Sequence, residues 1–321
     1  MSPRVLVLAG GLSHERDVSL RSGRRVADAL RDSGCLVSIR DVDASLVTGL
    51  KARDVDVVWP LLHGANGEDG AIRDVLDLLG IPYVGSDARA CRMTWDKPVA
   101  KALAQAAGLR TPDSVALPHS TFRELGARTM LDAIVRRLGL PLVVKPARGG
   151  SAQGVSVVRA ADDLPRAMVD CFAYGEVALI EQHVSGVEIA VTVLDTKEGP
   201  LALPAVEIVA DSGVYDYDAR YTAGATEFFC PARLADDARD AAVTAALTAH
   251  DAFRLRHLSR TDLILDAEGR VWFLEVNVAP GMTETSLLPQ SITAAGRTPA
   301  DAYREIVEIA LGAEHRVETG A

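Results

Sequence analysis

Residues 261–277 read TDLILD-AEGR-VWFLEVN, two apolar runs on either side of a four-residue polar turn. This pattern predicts an antiparallel hairpin. If Asp266 pairs with Val271 across the turn, Asp262 lies opposite Glu275, and Asn277 shares the face of Glu275 because strand side chains alternate. Two carboxylates and an amide, with no His or Cys nearby in the sequence, favour a hard cation such as Mg²⁺. A solvated strand face is the alternative, but these strands are too apolar to be peripheral.

The chain before this hairpin alternates between strand-like and helical runs. Apolar runs at Val5–Leu8 and Val55–Trp59 are followed by stretches with helical spacing, at Val18–Leu30 and Ala71–Leu79. Such alternation is typical of βαβ units, so we predict a parallel sheet in the N-terminal region. Further elements are expected downstream: strands at Val177–Gln182 and Val187–Leu194, a tyrosine-rich loop around Tyr215–Tyr221, and helices at Asp236–Phe253 and Ala300–Leu311.

A second candidate site precedes these strands. Asp96 is a typical helix N-cap, followed by Lys97 and a proline, and the helix is expected to stop at Gly108. Leu142–Lys145 and Val155–Val158 predict a hairpin with a glycine-rich tip. Backbone N–H groups of such a tip can approach phosphate oxygens, and the lysine at the strand end would add a positive charge. The segment matches neither GxxxxGK[ST] nor GxGxxG, so a surface hairpin is the alternative.

Three polar loops follow predicted strands: GGLSHER at 10–16, HGANGEDG at 63–70 and NVAPGMTETS at 277–286. Loops at the carboxyl ends of parallel strands are where α/β proteins bind ligands. Taken singly, Glu15 is equally well explained as an acid in the first turn of a helix, and His63 as a turn histidine. Together the loops favour a ligand site.

Length and composition limit the class of protein. The chain has 321 residues, 48% of them hydrophobic, and a formal charge of −10. The length predicts two or three domains, and the acidic balance argues against nucleic acid or an anionic membrane surface as a partner. No apolar run has the length of a membrane span, and no signal-peptide pattern precedes the first apolar run, so we expect a cytoplasmic protein. Its four cysteines are far apart, which predicts reduced core residues.

Arginine dominates the basic residues. The 34 basic residues include only five lysines: Lys51, Lys97, Lys101, Lys145 and Lys197. A lysine in such a chain is a candidate functional residue, although a codon bias explains any single one about as well.

These motifs, in this order, resemble the D-alanine–D-alanine ligases of the ATP-grasp superfamily. The resemblance spans nearly the whole chain and rests on GGLSHER at 10–16, LHGANGEDG at 62–70, Asp96-Lys97, VKP at 144–146, Gly150-Ser151, Glu181, YDY at 215–217, Tyr221, FCP at 229–231, RTD at 260–262, EVN at 275–277, PGMT at 280–283 and Ser286-Leu287. It implies an α/β fold of three domains: an N-terminal parallel domain at 1–97, a central domain at 98–184 and a C-terminal domain at 185–321. ATP would be held between the last two.

The resemblance also implies a reaction, the synthesis of the D-alanyl-D-alanine precursor of peptidoglycan. ATP would phosphorylate the carboxylate of a first D-alanine, and the amine of a second would attack the acyl phosphate. The residues expected at the ATP are Lys97, Lys145, Ser151, Glu181, Val184 and Glu188. Two Mg²⁺ ions, or Mn²⁺ in their place, would be held by Asp262, Glu275 and Asn277.

The remaining roles come from the same resemblance. Arg260 and the backbone N–H of Gly281 would stabilise the acyl phosphate and the oxyanion. A hydrogen-bonded set of Glu15, Ser151 and Tyr221 would close the site against water. The residues expected at the two D-alanine molecules are Glu15, His63, Arg220, Arg260, Ser286 and Leu287. Similar ligases are commonly homodimers, so a homodimer is expected.

Three positions depart from the family pattern. Arg220 stands where lysine is common, Ala152-Gln153 follows Ser151 where a second serine is common, and Val278 replaces a frequent threonine. Two other functions stay open: a related ligase with a different amino or hydroxy acid acceptor, which Arg220 favours, and a non-catalytic ATP-binding sensor. The retained lysines, arginine and metal ligands argue against the sensor. Tyr221, where ligases that form D-alanyl-D-lactate have histidine, argues against a depsipeptide product.

Overall fold

The computed structural model describes residues 2–51, 55–211, 213, 215, 222 and 224–312. Its strands are β1 Arg4–Leu8, β2 Leu36–Arg40, β3 Val57–Pro60, β4 Ser114–Pro118, β5 Leu142–Pro146, β6 Ser156–Val158, β7 Val177–Gln182, β8 Val187–Thr196, β9 Gly199–Ala202, β10 Val206–Ala210, β11 Thr226–Phe229, β12 Leu258–Leu265 and β13 Val271–Asn277. Its α-helices are α1 Arg16–Asp32, α2 Leu46–Lys51, α3 Ala65–Glu68, α4 Ala71–Leu78, α5 Ala88–Trp95, α6 Lys97–Ala106, α7 His119–Leu125, α8 Ala127–Leu138, α9 Leu164–Phe172, α10 Asp236–Ala252, α11 Leu287–Ala294 and α12 Pro299–Gly312.

The N-terminal region forms a parallel sheet of three strands in the order β2-β1-β3. β1 is buried almost throughout because helices cover it, which explains its continuous apolar run. Val58 of β3 also pairs in parallel with Tyr83. The predicted N-terminal parallel sheet is therefore confirmed, and its strand ends place the loops at 10–16 and 61–70 beside each other.

The next sheet is antiparallel, in the order β4-β7-β5-β6. The predicted hairpin is present, because β5 pairs with β6 from Leu142 opposite Val158 to Val144 opposite Ser156. This sheet packs against α8 and α9 around a core whose buried members all come from residues 122–180. The glycine-rich tip at 147–155 projects from this hairpin.

The third sheet is also antiparallel, in the order β11-β10-β8-β12-β13, with β9 paired to β8. Asp262 lies opposite Glu275 as predicted, but the predicted pairing of Asp266 with Val271 is wrong, because Leu265 pairs with Val271. Beyond the strand ends, Asp266 donates its backbone N–H to the carbonyl of Arg270, which leaves a turn of three residues, 267–269, with Gly269 at φ +75°. A bulge opposite Asp262 and Leu263, in which Leu274 is the extra residue on β13, restores the expected register.

One core joins the first and last parts of the chain. Val5, Val7 and Trp59 from the parallel sheet pack in one cluster with Ile306 and Val307 of α12. The ring of Trp59 makes an edge-on contact with Tyr303 of the same helix at 5.4 Å. The N-terminal sheet and the last helix therefore support each other.

The four cysteines, all within the described residues, form no disulfide, and three are buried while Cys230 is half-buried. Within the described ranges, no helix is both long and apolar enough to cross a lipid bilayer.

Candidate active site

Two adjoining cavities lie between the glycine-rich tip and the third sheet. Their volumes are about 540 and 570 Å³. Both are lined by Lys97, Gly149, Gly150, Tyr215 and Glu275, so these residues form a shared wall. A molecule in one cavity would therefore approach a molecule in the other at this wall.

Every predicted site residue that the structure describes lines one of these cavities. The first cavity is lined by Lys97, Lys145, Glu181, Val184, Glu188, Asp262 and Glu275. The second is lined by Glu15, His63, Ser151, Arg260, Asn277, Gly281, Ser286 and Leu287, together with Lys97 and Glu275. Ser151, which was expected at the ATP and in the closing set with Glu15, lines the second cavity and not the first. Arg220 and Tyr221 lie outside the described residues.

Glu15 precedes α1 as its N-cap, but its carboxylate makes no capping hydrogen bond. It instead accepts a hydrogen bond from the hydroxyl of Ser151 in the glycine-rich tip. A side chain at Gly64 would place its Cβ 3.0 Å from Glu15 Oε2, and one at Gly150 would lie 3.3 Å from Oε1. The carboxylate therefore bridges the N-terminal loops and the glycine-rich tip, and it is not a simple helix-end acid.

His63 is buried at the base of the second cavity. Its Nε2 lies 3.5 Å from the hydroxyl of Ser22, which also accepts a hydrogen bond from the backbone N–H of Met282. Burial lowers the pKa of His63, and the positive charge of Arg260 lowers it further, against the opposing charge of Glu15. The imidazole is thus held neutral, between the first loop and the loop at 277–286.

Both predicted carboxylate ligands of a metal are paired with cations. Arg260 donates from Nε and Nη2 to the two oxygens of Asp262, at 2.7 and 2.8 Å. Burial opposes the charge of Arg260, but the nearby acidic groups, Asp262 foremost, together raise its pKa above the usual value. Lys97 Nζ lies 3.1 Å from Glu275 Oε2 and donates to the carbonyl of Gly149 at 2.7 Å.

The donor set of Asp262, Glu275 and Asn277, of which Glu275 belongs to the shared wall, fits a hard cation. Asp262 and Glu275 are opposite each other, and Asn277 Oδ1 accepts a hydrogen bond from the N–H of Ala279. In the part of the chain that the structure describes, no group of three or more His, Cys, Asp or Glu side chains could hold a metal. With two carboxylates and one amide, a Mg²⁺ here would need further oxygens from water or phosphate, as Mg²⁺ usually does.

A buried carboxylate between two lysines lines the floor of the first cavity. Glu181 Oε1 lies 2.5 Å from Lys145 Nζ, and its Oε2 lies 2.6 Å from Lys101 Nζ. Burial alone would raise the pKa of Glu181, but the two ammonium groups lower it below its usual value. Glu181 is therefore ionised, and the three groups carry a net positive charge.

Sequence reasoning missed two residues of this region. Glu68 is buried, lines the second cavity and accepts a hydrogen bond from the N–H of Gly64 at 2.9 Å. Burial and the nearby charge of Glu15 raise the pKa of Glu68 to about 8. Lys101 is the other. The scarcity of lysine in the sequence could have drawn attention to Lys101. Glu68 differs from the other acidic residues of its loop only in being buried, which the sequence does not reveal.

The parallel N-terminal sheet, the two antiparallel sheets and the lysine-lined cavity between them define an ATP-grasp enzyme. Family models described as "D-ala D-ala ligase N-terminus" and "D-ala D-ala ligase C-terminus" match residues 38–86 and 103–308. The chain belongs to this D-alanine–D-alanine ligase family, a family of ADP-forming ligases.

Individual proteins support this membership. The chain is 38% identical to a D-alanine–D-alanine ligase of Pelotomaculum thermopropionicum over 97% of this chain and 98% of the relative. A crystal structure of a D-alanine–D-alanine ligase from Bacillus anthracis complexed with ATP has a TM-score of 0.80 at 30% identity, covering 97% of this chain and 98% of that one. The VanG D-Ala:D-Ser ligase from Enterococcus faecalis has a TM-score of 0.82 at 26% identity, covering 97% and 100%.

Proposed function

We propose that this protein uses ATP to join two D-alanine molecules into D-alanyl-D-alanine for peptidoglycan synthesis. The observation that carries the proposal is the shared wall of the two cavities. On one side of Lys97, Gly149, Gly150 and Glu275 lies a cavity with the lysines that a polyphosphate needs, and on the other lies a cavity with Glu15 and Arg260. A phosphoryl group held at the wall would lie between a nucleotide and a small amino acid.

The first step is phosphoryl transfer to the carboxylate of one D-alanine. Lys145 and Lys97 would bind the phosphates of ATP, and Glu188 would face the ribose. Glu15 would bind the ammonium group of the D-alanine, while Arg260 would bind its carboxylate. A carboxylate oxygen then attacks the γ-phosphorus, and the bond to ADP breaks. Catalysis of such a transfer consists mainly of positioning and charge neutralisation, which this set of residues supplies.

The second step forms the peptide bond. The neutral amine of a second D-alanine, whose carboxylate Ser286 would receive, attacks the acyl carbon, and phosphate leaves as the C–N bond forms and the amine loses a proton. Arg260 and the N–H of Gly281 would stabilise the oxyanion. The bond from Ser151 to Glu15 would hold the glycine-rich tip over the acyl phosphate and exclude water, which would otherwise hydrolyse it.

Mg²⁺ ions at Asp262, Glu275 and Asn277 would neutralise phosphate charge, and Mn²⁺ would serve as a substitute. The cations that now pair with these carboxylates, Arg260 and Lys97, would then be available to the phosphoryl group.

The test is phosphate release by the purified protein with ATP and Mg²⁺, with and without D-alanine, and with products identified by mass spectrometry. Release that depends on D-alanine and yields the dipeptide supports the proposal. Lys97→Met should lower the rate by about a hundredfold or more, because a cation at the phosphoryl group is lost. Lys197→Met, which removes a surface ion pair with Glu308, is the matched control. Release without dipeptide would contradict the proposed acceptor.

A related ligase with a different acceptor is the second candidate. The likeness to the VanG D-Ala:D-Ser ligase favours it, as does Arg220 at a position that the structure does not describe. Competition of D-serine and D-lactate against D-alanine, scored by the mass of the product, separates the two. A protein that binds ATP without any turnover would support the sensor instead.

We also propose a homodimer in the cytoplasm and a division into domains at 97/98 and 184/185. The division is supported by the three sheets, which occupy successive stretches of the chain. Sedimentation of the purified protein tests the oligomeric state.

A further inference from the structure

Lys101 is the buried lysine that the proposed reaction does not use. It lies one turn after Lys97 on α6, so both side chains leave the same face of the helix. Lys97 reaches the shared wall, whereas Lys101 turns to Glu181. Lys101 does not occur among the described residues that line the two cavities, and its side chain is only 4% exposed. Its contact with the first cavity is therefore indirect, through Glu181.

The backbone fixes this arrangement from two sides. The first turn of α6 is joined to the end of β5 by a hydrogen bond from the N–H of Lys97 to the carbonyl of Ala147 at 2.9 Å. β5 in turn pairs with β7, where Glu181 lies opposite Val143. The helix that carries Lys101 and the strands that carry Lys145 and Glu181 are thus held together. The three charged ends have little freedom to separate.

The two lysines differ in what else they can reach. Lys145 and Glu181 both line the first cavity, so a polyphosphate there can contact Lys145. Burial lowers the pKa of Lys101, whereas the facing charge of Glu181 opposes this effect. If Lys145 moved to a phosphate without Lys101 present, Glu181 would remain buried as an unpaired anion, which is strongly unfavourable. With Lys101 present, Glu181 keeps one partner.

We propose that Lys101 is a positioning residue for ATP: it holds Glu181 from behind the cavity and so frees Lys145 to bind phosphate. This inference rests on the proposed function, because it takes the first cavity as the ATP site. Without Lys101, Glu181 would keep Lys145 as its remaining lysine partner and hold it away from the phosphates.

The test is calorimetric binding of Mg²⁺–ADP together with steady-state kinetics. Lys101→Met should weaken ADP binding and raise the KM for ATP by about tenfold or more, because Glu181 would then hold Lys145 away from the phosphates. The KM for D-alanine and the kcat at saturating ATP should change by less than about threefold, because Lys101 does not contact the reacting groups. Lys101→Arg should restore part of the affinity. Lys197→Met is the control, with ADP affinity unchanged.

A double-mutant cycle distinguishes positioning from a purely structural role. In the Glu181→Gln background, Lys101→Met should have little further effect on ADP binding, because the group through which it acts is already neutral. If Lys101→Met lowers the melting temperature but leaves ADP binding within about twofold of wild type, Lys101 is structural only and the proposal is overturned. An undiminished effect in the Glu181→Gln background also overturns it.

If the single variant does not fold, the neutral pair Lys101→Met with Glu181→Gln is compared with Glu181→Gln alone. Equal ADP affinities support action through Glu181, and unequal affinities contradict it. ADP binding needs no D-alanine, so a wild-type protein that binds ADP in the predicted way but forms no dipeptide would refute the proposed function and leave this inference standing.

Discussion

Gly64 shows how closely single residues fit around Glu15. It has φ +77°, and an added Cβ would meet Glu15 Oε2 and the Cβ of Ser13 at 3.0 Å each. The position of Gly64 thus needs glycine for two reasons, the left-handed backbone and the close approach of a carboxylate. At Gly80 only the left-handed backbone requires glycine, because φ is +65° and nothing lies within 4 Å of an added Cβ.

We expect Gly64→Ala and Gly80→Ala to lower the free energy of unfolding by about 1 kcal/mol each through backbone strain. Only Gly64→Ala should also raise the KM for D-alanine, by about tenfold, because it displaces Glu15. Denaturant unfolding and initial rates measure the two effects. Equal KM values for the two variants would show that the Gly64 contact does not position Glu15.

Glu68 gives a prediction about pH. Its pKa is raised from 4.5 to about 8, so the folded protein keeps a proton that the unfolded chain releases. The free energy of unfolding therefore falls as pH rises from about 4.5 to 8, by up to roughly 5 kcal/mol. Glu68→Gln should remove this decline, and the exposed Glu198→Gln should not. Parallel curves of stability against pH for wild type and Glu68→Gln would refute the assignment.

At the scale of elements, helix α6 is fixed by its cap. Asp96 accepts a hydrogen bond from the N–H of Val99 at 3.2 Å and also from Arg148 Nε, in the glycine-rich tip, at 3.0 Å. Asp87 caps α5 in the same way, through the N–H of Ala90 at 2.8 Å, without contacting the tip. The cap of α6 thus couples this helix to the glycine-rich tip.

Asp96→Ala and Asp87→Ala should each cost about 1 kcal/mol of stability through the lost cap. Only Asp96→Ala should raise the KM for ATP, by roughly two- to fivefold, because one exposed contact to the tip is lost as well. Unfolding curves and rates at varied ATP check both. A raised KM for ATP in Asp87→Ala would mean that general loosening, and not the contact to Arg148, is responsible.

The elements also show what the sequence could predict. Strand β7 was predicted with its observed bounds, because a run of β-branched and apolar residues between turns leaves little choice. The predicted register of the β12–β13 turn was wrong by one residue, since Asp266 pairs with Arg270 and these two residues flank a three-residue loop that ends at Gly269. The bulge then reverses the alternation of side chains between the two faces of β13, so that Phe273 and Val276 both face the core while Glu275 faces the site.

The site was predictable where residues act as parts of local motifs, and not where burial decides. Asp262, Glu275 and Asn277 stand close together in sequence, and the hairpin alone brings them together. Glu68 and Lys101 acquire their properties from residues far along the chain, such as Glu181 for Lys101. No spacing rule reports such a partner before the fold is known.

At the scale of the whole molecule, His257 links the parallel sheet to the third sheet. Its Nδ1 accepts a hydrogen bond from the backbone N–H of Gly85 at 2.8 Å, and the backbone N–H of His257 donates to the carboxylate of Asp195. It is 3% exposed and has φ +69°, unusual for a residue other than glycine. Burial, with the charge of Arg256, lowers the pKa of His257 to about 4. The contact between the two regions therefore requires a neutral imidazole.

Acid should weaken this contact. The unfolded chain takes up a proton near pH 6.5, whereas folded His257 does so only near pH 4. The free energy of unfolding therefore falls as pH decreases from 6.5 to 4, with a share of up to roughly 3 kcal/mol from this residue. His257→Asn, which tolerates the left-handed backbone, should flatten the profile, and the exposed His14→Asn should not. Equal acid sensitivity of wild type and His257→Asn would contradict the assignment.

The core that Val5, Val7 and Trp59 share with Ile306 and Val307 has a consequence for synthesis on the ribosome. The first strand emerges early, but α12, which forms part of its helical cover, is translated roughly 15 to 60 seconds later at about 5–20 residues per second. During that interval the nascent parallel sheet has an uncovered apolar face. The protein should therefore acquire full protease resistance in its first hundred residues only after α12 has been synthesised, and it should depend on chaperones that shield nascent chains until then.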